Sequence, residues 1–224
     1  MRYFKTFMSL ALLFIGFESA MAGVIVGGTR VIYPSDKKEV SLMVKNPDKA
    51  TDYLIQSWID NFDEANKTKV PFIITPPLFR LDRESENILR IADTGANLPA
   101  DRESIFWLSV KSIAAIPKEK KDNRLQIVVR TRIKLIYRPT SLNNDEARDA
   151  YQKLTFTRQG GELVIKNPTP YYVSFYSLKV AGKTVDNPGM VAPFGEHLVT
   201  TASNGAIEWQ AVNDYGGNTQ AARQ

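Results

Sequence analysis

Short runs of alternating apolar and polar residues recur along this chain and are separated by turn-forming residues. Examples are EVSLMVKN at 39–46, YLIQSWID at 53–60 and SIFWLSVKSIA at 104–114. A period of two is typical of a strand with one face in a core, and the period of an amphipathic helix is nearly absent. Many short strands broken by turns are typical of a β-sandwich, so the pattern predicts an all-β fold.

The alternation is interrupted after a long strand, and this break predicts two domains. The strand, LQIVVRTRIKLIYRP at 125–139, ends at a proline, which lacks the N–H that a β-ladder needs. The polar segment at 141–154 follows, with a single helical turn expected in it, and the alternation then restarts. We therefore predict sandwich domains at 23–139 and 146–224, joined by a linker at 140–145.

The long strand carries two kinds of surface. One parity is largely apolar, and the other holds the cations Arg130, Arg132, Lys134 and Arg138. Three interpretations fit this pattern: an ordinary strand with a solvated face, an anion-binding site, or an edge that pairs with another chain. The residues alone leave all three open.

The first residues predict export. Two basic residues, an apolar run at 7–17 and the sequence Ala-Met-Ala at 20–22 form the pattern of a secretory signal peptide. We expect residues 1–22 to be removed. No later segment has the run of apolar residues that a membrane helix needs, so no stable membrane insertion is expected.

Composition narrows the classes of function. The chain has no cysteine, so export brings no disulfides, and a zinc site of cysteine and histidine ligands is excluded. The net charge of +5 is dispersed, which together with export argues against a nucleic-acid partner.

Catalytic chemistry is also poorly represented. His197 is the single histidine, and neither a G-x-S-x-G motif nor a nucleotide-binding glycine loop occurs. The acidic pairs Asp82/Glu84 and Asp145/Glu146 suit a glycosidase in principle, but solvated loop carboxylates are the simpler interpretation. We therefore expect a binding module with no catalytic residues, no metal and no cofactor.

Several motifs, in order, resemble those of the PapD-like periplasmic chaperones of the chaperone–usher pathway. LPADRESIFWLSVKSIAAIP at 98–117 is the most specific, and it is supported by TRVIYP, ITPPLFRL, IKLIYRP, NPTPYYV and NDYGG. Ser109 departs from the asparagine usual in the family. The resemblance implies two immunoglobulin-like β-sandwich domains in a boomerang arrangement with an interdomain cleft. It also implies a non-enzymatic periplasmic protein that assembles fimbriae.

The resemblance assigns a role to the start of the long strand. Leu125, Ile127 and Val129 match the alternating apolar residues that such chaperones insert into an unfinished pilus subunit, completing its sandwich by donor-strand complementation. The alternative is that these side chains face the protein's own core. Pilus subunits and the outer-membrane usher are the implied partners, and self-association of the unoccupied protein stays open.

Further residues match family positions. Arg30 and Lys134 match the cleft pair that holds the subunit's C-terminal carboxylate, although either alone could be a solvated strand cation. Glu103, Arg138 and Asp214 match an ionic bridge between domains, the alternative being three unrelated surface charges.

Two expectations concern backbone and packing. Pro76, in Thr75-Pro76-Pro77, matches a turn that is often cis, and a trans bond stays open. Trp58 and Trp107 are expected to be core aromatic residues.

Parity yields a geometric expectation. If the odd residues Leu125 to Val129 face a subunit while the even cations face the cleft, the strand must twist or bulge between Val129 and Lys134.

Two rival functions are a secreted two-domain adhesin or structural pilus component, and a carbohydrate-binding sandwich protein. The first requires a polymerising extension or an incomplete sandwich, and the second requires an exposed aromatic platform.

Overall fold

The computed structural model describes residues 23–95, 97–116 and 125–224, and the predicted signal peptide at 1–22 lies outside these ranges. Strands dominate the described chain, and the prediction of an all-β, two-domain fold is confirmed. None of the helices in these ranges has the length and apolar character needed to cross a bilayer.

The first domain is a sandwich of two sheets. The four-stranded sheet has the order β1-β3-β7-β5, and the five-stranded sheet has the order β2-β9-β8-β4-β6. The strands are β1 Ile25–Val26, β2 Arg30–Pro34, β3 Glu39–Lys45, β4 Tyr53–Asn61, β5 Phe72–Thr75, β6 Leu78–Leu81, β7 Glu86–Asp93, β8 Ser104–Ala114 and β9 Val128–Arg138.

Consecutive strands from β1 to β8 alternate between the two sheets, and two of these crossings are short bends. β1 and β2 are separated by Gly27, Gly28 and Thr29, and β5 and β6 by Pro76 and Pro77. The Thr75–Pro76 peptide is cis in the structure. Inward-facing residues of both sheets form one buried cluster, because alternate side chains of each strand point to the same face. The cluster includes Tyr33, Leu42, Val44, Ile55, Leu89, Ile91, Leu108, Ile133 and Leu135.

The second domain is a smaller sandwich. One sheet has the order β10-β11-β15, and the other has the order β13-β12-β16-β17, with β14 also pairing with β12. The strands are β10 Thr155–Gln159, β11 Glu162–Lys166, β12 Val173–Val180, β13 Lys183–Thr184, β14 Met190–Val191, β15 Glu196–Thr200, β16 Ile207–Ala211 and β17 Ala222–Arg223. Its core is a separate buried cluster that includes Leu163, Ile165, Leu178, Val191 and Trp209.

The polar segment between the domains is more structured than expected. Helix α1, Asn144–Asp149, begins after Asn143, whose side chain accepts a hydrogen bond from the Asp145 N–H. A 3₁₀ helix, Ala150–Lys153, continues it. Ala150 and Tyr151 are buried in the second core, so this segment packs against the C-terminal domain.

Candidate functional site

Strand β9 carries Val129, Lys134 and Arg138, with Leu125 and Ile127 just before it, and its pairing is regular. Its register with β8 runs without a shift from the Ile113–Val128 pair to the Ser104–Tyr137 pair. The pairing with β8 therefore contains no bulge between Val129 and Lys134, and that form of the expectation is wrong. Val129 shares the face of the core residue Ile133, but it lies beyond the end of that core, so a straight strand presents it to solvent.

The three predicted donor residues are not part of the protein's own core. Leu125 is 88% exposed, Ile127 is 70% exposed and Val129 is 52% exposed. With Tyr53 and Ile116 they border a depression of about 490 Å³. Neighbouring large apolar side chains that are this exposed are typical of a surface that binds a partner.

The same part of β9 also has an open backbone edge. On the side away from β8, the parallel strand β2 pairs only with residues 134–138 of β9. Within the described residues, no strand pairs with positions 128–133 on that side. Unpaired N–H and C=O groups in a row can accept a further strand, so an exposed apolar face and a free edge coincide.

Two of the four cations of β9 are satisfied within the first domain. The Arg130 guanidinium lies 4.8 Å from the centre of the Trp58 ring and donates to Asp60 at 3.2 Å. It also donates to the hydroxyl of Ser109 at 2.9 Å, so the serine found in place of the family's asparagine serves as an acceptor here.

Arg132 has a similar environment. Its guanidinium lies 4.6 Å from the Trp107 ring and donates to Glu64 at 3.1 Å, and Phe62 stacks on the same tryptophan. Trp58 and Trp107 are half-buried on the outer face of the five-stranded sheet, so the expectation that they are core residues is wrong. Their role is cation–π stacking with the arginines of β9.

Arg138 joins the two domains. Its Nε donates to Glu103 at 2.7 Å, and its Nη1 and Nη2 donate to Asp214 at 2.8 and 3.1 Å. The second oxygen of Glu103 accepts from the Tyr172 N–H at 2.7 Å. The structure thus brings all three residues of the predicted bridge together, with Asn144 as a further acceptor.

This network is largely removed from solvent. Arg138 is 5% exposed and Glu103 is 2% exposed. Burial raises the pKa of Glu103, and the charge of Arg138 opposes that rise. Buried pairs of this kind contribute little net stability, but the loss of one partner leaves the other charge buried and unpaired. The network therefore constrains the position of one domain against the other.

Arg30 and Lys134 lie side by side as cross-strand partners of β2 and β9. Arg30 Nη1 donates to the Val212 carbonyl at 3.1 Å, and Lys134 Nζ donates to the Ser174 hydroxyl at 2.7 Å. No described carboxylate lies within ion-pair distance of either cation. The Nε of Arg30, like that of Arg132, is buried without a hydrogen-bond partner in the described part of the chain.

The electrostatics of this pair favour an anion. Burial, and then the neighbouring charge of Arg30, lowers the pKa of Lys134 from 10.5 to about 8. Burial likewise lowers the pKa of Arg30, against the more distant charges of Asp214 and Glu103. Two half-buried cations without a carboxylate partner are poorly solvated, and a bound carboxylate would relieve both effects.

Arg30 reaches into a cleft of about 540 Å³ between the domains. The first domain contributes residues of β2 and the C-terminal end of β9 to this cleft. The second domain contributes the start of β12 and the loop after β16. Its lining includes Arg30, Glu103, Arg138, Tyr172, Val212 and Asp214.

Sequence reasoning missed the groups that hold the two cations. Ser174 and Val212 belong to the second domain, and nothing in their local sequence marks them as partners of Arg30 or Lys134. The NDYGG motif, which follows Val212, was the nearest available signal, and it identified only Asp214.

Two family models match this chain. The model described as "Pili and flagellar-assembly chaperone, PapD N-terminal domain" matches residues 23–143. The model described as "Pili assembly chaperone PapD, C-terminal domain" matches residues 149–223.

Curated relatives match over nearly the full chain. Chaperone protein FocC of Escherichia coli is 44% identical over 217 residues, covering 95% of this chain and 94% of the relative. Chaperone protein FimC of Escherichia coli strain K12 is 43% identical over 204 residues, covering 89% of this chain and 83% of the relative.

Solved structures match as well. The periplasmic chaperone SfaE has a TM-score of 0.77 and 42% identity, with 90% of this chain and 98% of SfaE covered. The SafB chaperone, solved with the SafA pilin of Salmonella enterica, has a TM-score of 0.79 and 32% identity, with 90% of this chain and 95% of that chain covered.

Proposed function

Because this chain belongs to the pilus-assembly chaperones of the PapD family, we propose that its open strand and its paired cations together capture an unfinished fimbrial subunit. The protein is a fimbrial chaperone that acts by donor-strand complementation.

The donor segment is the stretch from Leu125 to Val129 together with the free edge of β9 that continues it. Leu125, Ile127 and Val129 would fill the groove of a subunit that lacks one strand, while the edge at 128–133 would complete its hydrogen-bond ladder. Burying three such side chains is worth roughly 1.5–3 kcal/mol each before the costs of association. A finished subunit has no such groove, so incomplete partners would be preferred.

Arg30 and Lys134 would hold the C-terminal carboxylate of the subunit. Arg30 offers a guanidinium that has no carboxylate partner among the described residues, and Lys134 adds a compact charge beside it. Fixing the end of the guest chain also fixes its register along β9. This matters because a shift of one residue would turn every apolar side chain away from the groove.

The cellular setting follows from the same family assignment. Fimbrial chaperones have a non-enzymatic role, and we propose that this chain acts without catalysis in the periplasm after removal of residues 1–22. Its domains would be 23–139 and 146–224 with a linker at 140–145, and the outer-membrane usher would receive the loaded subunit.

The observation that carries the proposal is the contrast among the cations of β9. Arg130 and Arg132 are paired with carboxylates and tryptophans, Arg138 is paired with two carboxylates, and Lys134 has no carboxylate partner among the described residues. The site that remains for an external anion is therefore Lys134 with its neighbour Arg30.

The test is co-expression with the fimbrial subunit encoded in the same gene cluster. Wild type should yield a soluble one-to-one complex, and Lys134→Ala should abolish it while the chaperone stays folded. Arg132→Ala is the matched control, since it removes a cation from the same face of the same strand. Full protection of the subunit by Lys134→Ala would refute the anchor assignment.

A further inference from the structure

The loop after β16, Val212–Asn218, contacts the first domain at three points, two of which are polar. The Val212 carbonyl accepts from Arg30, and Asp214 accepts from Arg138. The loop itself is tightly hydrogen-bonded: Asn213 N–H donates to the Gly217 carbonyl, and Asn213 Oδ1 accepts from the Gly217 N–H. Because these bonds tie Gly217 to Asn213, a displacement of the loop tip would also displace the neighbouring Val212.

The third point is a close approach at Gly216. A β-carbon added at this position would lie 2.5 Å from Oγ1 of Thr29, 3.4 Å from its Cγ2 and 3.5 Å from its Cβ. Thr29 immediately precedes Arg30 at the start of β2. The absence of a side chain at Gly216 therefore lets the loop lie against the residue next to the anion site.

We infer that Gly216 is a positioning residue for the Arg30–Lys134 site, because a side chain at this position would press on the Thr29 hydroxyl, whereas glycine lets the loop lie against Thr29 and hold the Arg30 guanidinium through Val212. With one N–H group of Arg30 bound to the loop, the guanidinium is held beside Lys134. This inference rests on the proposed function, since it assumes that the site binds a carboxylate.

Gly216 has a second constraint that must be separated from the first. Its φ of +86° is a conformation that a residue with a side chain rarely adopts. Gly161, in the hairpin between β10 and β11, has a φ of +87° and nothing within 4 Å of an added β-carbon. Gly161→Ala therefore measures the backbone cost alone, and Gly216→Ala adds the steric contact with Thr29.

A rescue variant isolates the contact further. Thr29→Ala removes Oγ1 and Cγ2 and leaves Cβ, which would lie at an ordinary van der Waals distance of 3.5 Å from the added carbon. In the Gly216→Ala background, Thr29→Ala should therefore restore the loop. The backbone strain at position 216 would stay in both variants.

The experiment measures binding of the C-terminal peptide of the subunit encoded in the same gene cluster, made with a free carboxylate and with a C-terminal amide. In wild type and Gly161→Ala we expect a preference for the carboxylate. Gly216→Ala should lower that preference by about tenfold, the scale of one charged hydrogen bond, and Thr29→Ala should recover most of it.

A second measurement does not depend on the peptide. Titration of Lys134 followed by NMR should give a pKa near 8 in wild type and a higher value in Gly216→Ala, because an opened cleft admits water. A merely less stable but correctly closed protein would leave this value unchanged.

The outcomes separate the two hypotheses. Equal binding of carboxylate and amide by wild type would refute the anchor itself. A wild-type preference that Gly216→Ala retains as fully as Gly161→Ala would overturn the positioning role. If Gly216→Ala fails to fold, recovery by Thr29→Ala supports the inference, and failure to recover overturns it.

Discussion

The charge of Lys134 should destabilise the free chaperone. Its removal should therefore make the protein more stable but unable to bind the subunit. The ordinary pKa of 10.5 falls to about 8 in the folded protein. At ~1.36 kcal/mol per pKa unit this difference corresponds to a ceiling of about 3.4 kcal/mol for the cost of holding the charge. The ammonium is partly solvated, so the true cost is a fraction of that ceiling.

Lys134→Met replaces the ammonium with an apolar side chain of similar length. It also gives up the hydrogen bond to the Ser174 hydroxyl, which is worth about 1 kcal/mol. We expect a net gain of about 1 kcal/mol in the free energy of unfolding at pH 7, measured by urea denaturation. Binding of the subunit should be lost in the same variant.

The sign of the pH dependence provides the internal check. Below pH 8 the folded and unfolded states both hold the proton, and the penalty is complete. Between about pH 8 and 10.5 the folded state has released the proton while the unfolded state still holds it, so the wild type gains stability with rising pH. The advantage of Lys134→Met should therefore shrink over this range. A variant less stable than wild type at pH 7, or an advantage that grows with pH, would refute the reasoning.

Three further predictions concern Lys134, the interdomain ionic network and the exposed apolar side chains. Raising the pH from 7 to 9 should weaken capture of the subunit peptide in wild type, because Lys134 loses its charge, and calorimetric titration at both values measures this. Glu103→Gln should lower the free energy of unfolding by about 3 kcal/mol, since it removes the negative charge that compensates the buried Arg138, and an unchanged urea midpoint would contradict this. Ile127→Ser should abolish the subunit complex in co-purification. It should leave the free energy of unfolding within about 0.5 kcal/mol of wild type, because a side chain that is 70% exposed contributes little to the folded state. A large loss of stability would indicate that Ile127 packs internally.

Local pattern predicted the strands and the family well. The period-two alternation indicated the β-structure that the chain adopts, and the motifs around Glu103 and NDYGG indicated the PapD resemblance, which the family models confirm. Both kinds of signal reside in short stretches of sequence, where spacing alone carries the information.

The errors came from assuming that a strand has the same surroundings along its whole length. Val129 and Ile133 occupy the same face of β9, yet one is 52% exposed and the other is 6% exposed, because the core ends between them. The aromatic character of Trp58 and Trp107 likewise suggested burial, although each lies under an arginine on the outer face. Partners such as Ser174 depend on how two domains meet, which no local pattern encodes.

The way in which β2 joins β9 sets a limit on any chain that is added to the open edge. β2 begins to pair at Lys134, so the free backbone stops where the two cations stand. From Leu125 to Lys134 a strand covers about 30 Å at ~3.3 Å per residue. A guest that pairs along this length arrives with its terminus at the cations, and one that continued would collide with a strand already in place. If the proposed anchor is correct, the distance from the apolar side chains to the start of β2 would set the length of guest tail that can bind.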